Sequence, residues 1–295
     1  VKFDCIITNP PFQDSLRRGK TPHKLWAEFA RAAMSTWLKD EGVLYQISPA
    51  SFGSPSSAVL NLMKSRDTKF IELDASRFFS GVGSSIAYFE IRNSHSPNEE
   101  TKISGPNGCG SVVLDPSVFY LPNDFCPLAL SIHKKVVFER HEKLCVEWDY
   151  VSCHNILRHR SDSLGTSESD VHRYPVLHTN RQIWWSSVRQ EWASALKVMW
   201  SRSGYTKPFF DHGKLGGTDM VYFVRVSSAK EGARLVKFLN SVLLQYIFRT
   251  ARWSGFGNEK VFASLPNIDL DRDLTDDEVF DVFGLSEEER EYVKS

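Results

Sequence analysis

The sequence predicts an α/β fold: a helix-flanked sheet over the first hundred residues, followed by an α+β region. Three observations carry this expectation. Short apolar runs ending in turn residues alternate with segments of helical periodicity between Phe3 and Asn93. From Ser94 to about Asn123 the chain turns rich in Ser, Pro, Gly and Asn and reads as a linker. With 295 residues, of which 41% are hydrophobic, the chain can bury one large core or two smaller ones. The expected organisation is a first domain over 1–96, a linker over 97–123 and a second region over 124–295.

The elements follow in order. "FDCIITN" is a short apolar run, expected as a strand buried on both faces. "KLWAEFARAAMSTWLKD" places Leu25, Phe29, Ala32, Ala33 and Trp37 on one stripe and reads as a helix stopped at Gly42. "VLYQISP" is the next strand, "SAVLNLMKS" a helix, "KFIELDA" and "SSIAYFEIRN" two further strands. Beyond the linker, helices are expected over "PLALSIHKKVVFERHEKL" and "AKEGARLVKFLNSVLLQYIFRT", a polar loop over "RHRSDSLGTSESD" and a strand over "DMVYFVRVS". "TDDE" from Thr275 and "SEEE" from Ser286 both fit the capping-box pattern, with Gly284 between them as a stop, so two short acidic helices close the chain.

Formal net charge is zero, with 36 basic and 36 acidic residues. The average hides a partition: from Asp271 to Tyr292 ten acidic residues face only Arg272 and Arg290, a net of −8 that leaves the rest at +8. A basic body of this kind is compatible with a polyanionic partner. Five cysteines without paired spacing point to a reducing, cytoplasmic setting. No 18-residue apolar run is present, so no membrane partner is expected. Cys145, Cys153, His154 and His159 lie close in sequence but lack metal-ligand spacing, so no metal is expected.

The chemistry-bearing motif is Asn9-Pro10-Pro11-Phe12, directly after the first strand. Chance supplies an Asn-Pro-Pro-aromatic tetrapeptide in about one chain per few hundred of this length, and the carboxyl end of a strand is where open α/β sheets bind ligands. Such a tetrapeptide can handle a planar amino group, whose delocalised lone pair makes it a poor nucleophile. The Asn9 side-chain oxygen and the Pro10 carbonyl could accept its two N–H bonds and stabilise the charge that develops on attack. The prolines fix φ, and Phe12 could stack on a flat base rotated out of a duplex. Gln13 and Asp14 are loop residues within reach of such a substrate.

On these residues the sequence resembles the S-adenosylmethionine-dependent amino-methyltransferases, and within them the adenine-specific DNA methyltransferases of restriction-modification systems and phages. The resemblance covers about Phe3 to Arg92 and, more loosely, the C-terminal third. It implies the C-terminal half of a Rossmann-like methyltransferase sheet followed by an α+β target-recognition domain. It also implies S-adenosylmethionine as cofactor, double-stranded DNA as partner and a bacterial or phage-infected cytoplasm. "FFSGVGSSIAYFEI" looks like the segment that packs an aromatic on the second face of the extruded base, which implies this role for Phe79, with Phe78 as the alternative. The family's glycine-rich cofactor loop and ribose-binding acid belong to strands before the motif strand and are absent here. "SGFGNEK" is a weak substitute, because it follows a helix. The chain is therefore expected to be a fragment lacking most of its cofactor site, inactive alone.

Three basic and aromatic clusters are candidates for DNA contact. They are Arg181 with Trp184 and Trp185; Arg202 with Tyr205 and Lys207; and Arg249, Arg252 and Trp253 with Lys260. Cytosine as the target amine, a ribosomal-RNA or protein-glutamine acceptor, and a non-catalytic specificity module remain open alternatives, as does a restriction subunit.

Overall fold

The computed structural model describes residues 1–13, 24–55, 57–79, 85–95, 100–139, 142–149, 162–179, 182–202, 207–253 and 259–295. The chain divides into two compact units: Val1–Glu139 with Thr250–Gly257, and Arg140–Arg249 with Asn258–Ser295. It is an α/β protein.

The first unit is built on a six-stranded mixed sheet. Its strands are β1 (Phe3–Thr8), β2 (Leu38–Pro49), β3 (Asp67–Glu72), β4 (Ile86–Arg92), β5 (Thr101–Gly105) and β6 (Gly108–Val112), in the spatial order β1-β2-β4-β3-β5-β6. β1 runs parallel to β2 and β3 parallel to β5, whereas β4 lies antiparallel between β2 and β3. Helices α1 (Leu25–Ala32) and α2 (Ala58–Lys64) connect β1 to β2 and β2 to β3. They share one core with the sheet: Trp26, Ala30, Leu60 and Met63 pack with Leu44, Ile71, Phe89 and Ile91.

Several expectations need correction. Among the described residues β1 lies at the side of the sheet, with Phe3 51% and Ile7 82% exposed. Only β2 pairs with it among the described residues, and only its Ile6 side packs on the core. The first helix ends in a π-turn, Ala33–Trp37, and Gly42 lies inside β2, which begins at Leu38. A side chain at Gly42 would crowd the Phe3 carbonyl, so this glycine serves strand approach.

The stretch read as linker supplies β5 and β6. Its Pro106-Asn107 turn joins Gly105 to Gly108, which pair directly. Thr101 donates its hydroxyl to the Thr68 carbonyl at 2.8 Å, and Ile103 is fully buried. Glycine is required at Gly105 because a Cβ there would collide with the Phe125 carbonyl. Composition suggested flexibility where the fold uses glycine for close packing. Finally, the helix expected to begin at Pro127 is α3 (Pro127–His133), passing into a π-turn over Lys134–Phe138, and Lys143 sits in a β-bridge to Pro266.

The second unit carries two four-stranded sheets. One has β7 (Glu147–Trp148), β11 (Leu196–Ser201), β12 (Phe209–His212) and β14 (Val221–Arg225), in the order β12-β11-β14-β7. The other has β8 (Leu164–Gly165), β9 (Tyr174–Leu177), β10 (Ile183–Ser186) and β13 (Gly216–Gly217), in the order β13-β9-β10-β8. β8 falls inside the expected polar loop, of which residues 162–170 are described and 158–161 are not. The long helix expected near the end is two, α4 (Ala229–Leu239) and α5 (Val242–Thr250), parted at Asn240, whose side chain donates to the Pro208 and Val236 carbonyls. After the short α6 (Glu259–Phe262), both capping boxes form, on α7 (Asp276–Val282) and α8 (Glu287–Lys294). Gly284 takes φ +60° between them, the left-handed position that suits a helix stop.

Candidate functional site

Strand direction decides what meets at the end of the sheet. Thr8 of β1 is opposite Gln46 of β2, Ile47 opposite Tyr88 of β4, and Tyr88 opposite Glu72 of β3. The carboxyl ends of β1, β2 and β3 and the start of β4 therefore lie along one edge of the sheet. Asn9 to Phe12 leave β1 on that edge, and the short 3-10 turn Ala75–Phe78 leaves β3 there.

Asn9 is exposed, Pro10 buried, Pro11 exposed and Gln13 exposed; Asp14 lies outside the described residues. The Asn9 carboxamide makes no hydrogen bond among the described residues. Asn9 lines a concavity of about 320 Å³ together with Ile7, Thr8, Tyr45, Gln46, Ile47 and Tyr88. Phe12 is half-buried and packs against the core of the unit.

Phe78 and Phe79 differ in environment. Phe78 is 67% exposed with the Arg77 guanidinium 4.9 Å from its ring centre, whereas Phe79 is half-buried. Arg77 is in turn paired with the buried Glu72 carboxylate at 3.1 Å. Ser76 fixes the turn by accepting the Ile86 backbone N–H at 2.7 Å. The alternative residue Phe78 thus presents the freer aromatic face.

Reading the motif alone missed Gln46, Tyr45 and Tyr88. Gln46 is the single strongly polar side chain within "VLYQISP", and it is 1% exposed. Its Nε2 donates to the Trp26 carbonyl at 2.8 Å, while its Oε1 has no partner among the described residues. The charge of Glu90, then burial, pushes the Tyr45 hydroxyl pKa up. A polar residue in an otherwise apolar strand was the available signal for Gln46; nothing local marks the tyrosines, which the sheet register brings beside Asn9.

The predicted DNA-contacting residues fall into different settings. Arg181 and Tyr205 lie outside the described residues, as does the side chain of Lys260. Trp184 is buried and stacks on His178 at 3.8 Å, which makes it a core residue; Trp185 is half-buried. Arg202 lies 5.0 Å over the Trp148 ring, and Arg249 is exposed, 5.9 Å over Tyr246. Lys207 is exposed. In the first unit the Arg252 carbonyl accepts from Asn123 at 2.8 Å, and Trp253 donates its indole N–H to the Leu121 carbonyl at 2.6 Å. Trp253 is a packing anchor there. Of the cysteine and histidine group, Cys145 is exposed, while Cys153, His154 and His159 lie outside the described residues. Among the described residues, no helix is long and apolar enough to cross a membrane.

Solved structures to which the chain is similar include enzymes of restriction-modification systems. They include the type IIL enzyme MmeI in complex with DNA, at 10% identity and TM-score 0.45, covering 80% of this chain and 42% of that one. The ATP-dependent type ISP enzyme LlaBIII bound to DNA is similar at 9% identity and TM-score 0.41, over 95% of this chain and 29% of that one. The type IIG restriction endonuclease BpuSI is similar at 13% identity and TM-score 0.33, over 92% and 44%. The chain spans less than half the length of each of them. No family model matches the sequence. No curated protein matches it either.

Proposed function

We propose that this chain is the part of a DNA amino-methyltransferase that receives the target base, with the exocyclic amino group of adenine as acceptor. The observation that carries this reading is the Asn-Pro-Pro-Phe turn at the carboxyl end of a parallel strand, with the Asn9 carboxamide unengaged among the described residues. Asn9 Oδ1 and the Pro10 carbonyl accept the two amine hydrogens, which favours a pyramidal nitrogen and stabilises its developing positive charge. Phe12 and one of Phe78 or Phe79 bracket the base.

The family resemblance implies S-adenosylmethionine as methyl donor. The described residues around Asn9 do not fit it: the concavity is lined by Ile7, Thr8, Tyr45, Gln46, Ile47 and Tyr88 and includes no carboxylate for a ribose among the described residues. In this reading the chain itself binds and orients only the acceptor.

The test is methyl transfer to duplex DNA by the product of the full coding sequence, with digestion and mass identification of the methylated base. Asn9→Ala is expected to lower the rate by about 10²–10³-fold, as loss of one aimed hydrogen-bonding group does, and the product to be methylated adenine. Undiminished transfer by the variant overturns the role of Asn9. The donor misfit favours a second reading, a DNA-binding specificity module without catalysis. Specific duplex binding with no methyl transfer by the full product would select it.

A further inference from the structure

The second unit holds a pair of cations that neither the motif nor the basic clusters single out. We infer that Arg189 and Lys214 form a contact for a phosphodiester group of duplex DNA. The inference rests on DNA being the partner in the reading above, and it adds a backbone-binding site to it.

Arg189 and Lys214 line one small pocket of about 50 Å³, together with Tyr174, Val188, Ser194 and Gly216. No Asp or Glu lines it. Both cationic side chains are exposed and make no ion pair among the described residues. Three other basic residues of the unit are committed internally: Arg225 to Glu147 at 2.8 Å, Arg234 to Asp273 at 3.8 Å, and Lys197 to Asp211 at 2.6 Å. Uncompensated positive charge in a pocket without carboxylates is the electrostatic requirement for a phosphate.

The backbone beneath each cation is fixed. Gln190, next to Arg189, is 4% exposed; its Nε2 donates to the Gly217 carbonyl at 2.9 Å, and its Oε1 accepts the Gly217 N–H at 2.8 Å. On the other side, the buried Asp211 carboxylate accepts the backbone N–H groups of Gly213 at 3.1 Å and Lys214 at 3.1 Å, while also holding Lys197. Gly213 takes φ +78°, and a Cβ there would collide with the Ser194 carbonyl, so the turn carrying Lys214 sits tightly against the segment after Arg189. Two long cationic side chains thus rise from rigid neighbouring anchors, and ordering them on a ligand costs side-chain entropy alone. The pocket is small and its lining offers two cations, which suits a phosphate oxygen and backbone positioning more than sequence readout.

The test is fluorescence anisotropy of the full chain with a labelled mixed-sequence 30-base-pair duplex, from about 50 to 250 mM NaCl. Arg189→Ala and Lys214→Ala are each expected to reduce the slope of log K against log salt by about 1. The double variant should weaken binding by about tenfold or more, with the conservative Arg189→Lys/Lys214→Arg pair restoring most of it. Lys230→Ala, an exposed cation away from the pocket, is the control and should change neither quantity relative to the wild type. Thermal unfolding confirms that the variants remain folded. If the wild type binds and the double variant keeps both affinity and slope, the inference fails while the DNA reading stands. If the wild type binds no duplex, the DNA reading fails and takes the inference with it. Displacement of the duplex by inorganic phosphate at matched ionic strength would mark a small-anion site and overturn the assignment to DNA.

Discussion

Asn9 and His133 show how differently one polar side chain can be used. Asn9 is exposed, with its carboxamide unspent among the described residues, whereas His133 is fully buried. Tyr120 O–H lies 2.6 Å from His133 Nδ1, and His133 Nε2 lies 2.8 Å from the Thr250 hydroxyl. Burial pushes the His133 pKa from its ordinary 6.5 down to about 3. Below pH 6.5 the unfolded imidazole takes up a proton that the folded one refuses, so stability present above that pH is lost as the pH falls. The slope approaches about 1.4 kcal/mol per pH unit until the folded site itself titrates. Urea unfolding between pH 4 and 7 should show a steeper loss for the wild type than for His133→Gln; parallel profiles would refute the assignment. Lys197 and Asp211 allow a second test at this scale. Asp211→Ala takes the counter-charge from a buried ammonium, which keeps the Ala193 and Ala195 carbonyls as hydrogen-bond acceptors, and should cost about 3–5 kcal/mol. Lys197→Met should cost less, because Asp211 keeps the backbone donors of Gly213 and Lys214. Equal losses in urea unfolding would contradict that asymmetry.

At the scale of the element, local signals were most legible where a side chain meets its own backbone. Thr275 Oγ1 accepts the Glu278 N–H at 3.3 Å and Ser286 Oγ that of Glu289 at 3.3 Å, with each glutamate bonding back, as the four-residue patterns predict. Thr275→Ala and Ser286→Ala should each lower stability by about 1 kcal/mol, measured by thermal unfolding. Glycine was misread for the complementary reason, since its use depends on atoms far away in sequence. Gly53 has the Trp253 indole where its Cβ would stand, at 2.8 Å, and the Leu121 N–H bonds the Gly53 carbonyl at 2.9 Å. Gly53→Ala should therefore destabilise the first unit by about 1–3 kcal/mol through overpacking. Loss of the Trp253 fluorescence environment should accompany it, and an unchanged unfolding midpoint would show that the ring can move aside.

For the whole molecule, the sequence by itself determined the α/β class, the order of strands and helices through Arg92, the two capped acidic helices and the position of Asn9-Pro10-Pro11-Phe12 at a strand end. These are properties of short-range periodicity and of side chains bonding to nearby backbone, and both are written within a dozen residues. Only the tertiary structure decided that the Ser94–Asn123 stretch extends the sheet and that Trp184 and Trp253 are packing residues. It also placed Tyr45 and Tyr88 beside Asn9, and Arg189 and Lys214 around one pocket. Each of these depends on strand register or on the close approach of segments distant in sequence: Trp253 lies 132 residues from the carbonyl it bonds. Burial and pairing are settled by which faces meet, and that is a property of the packed chain.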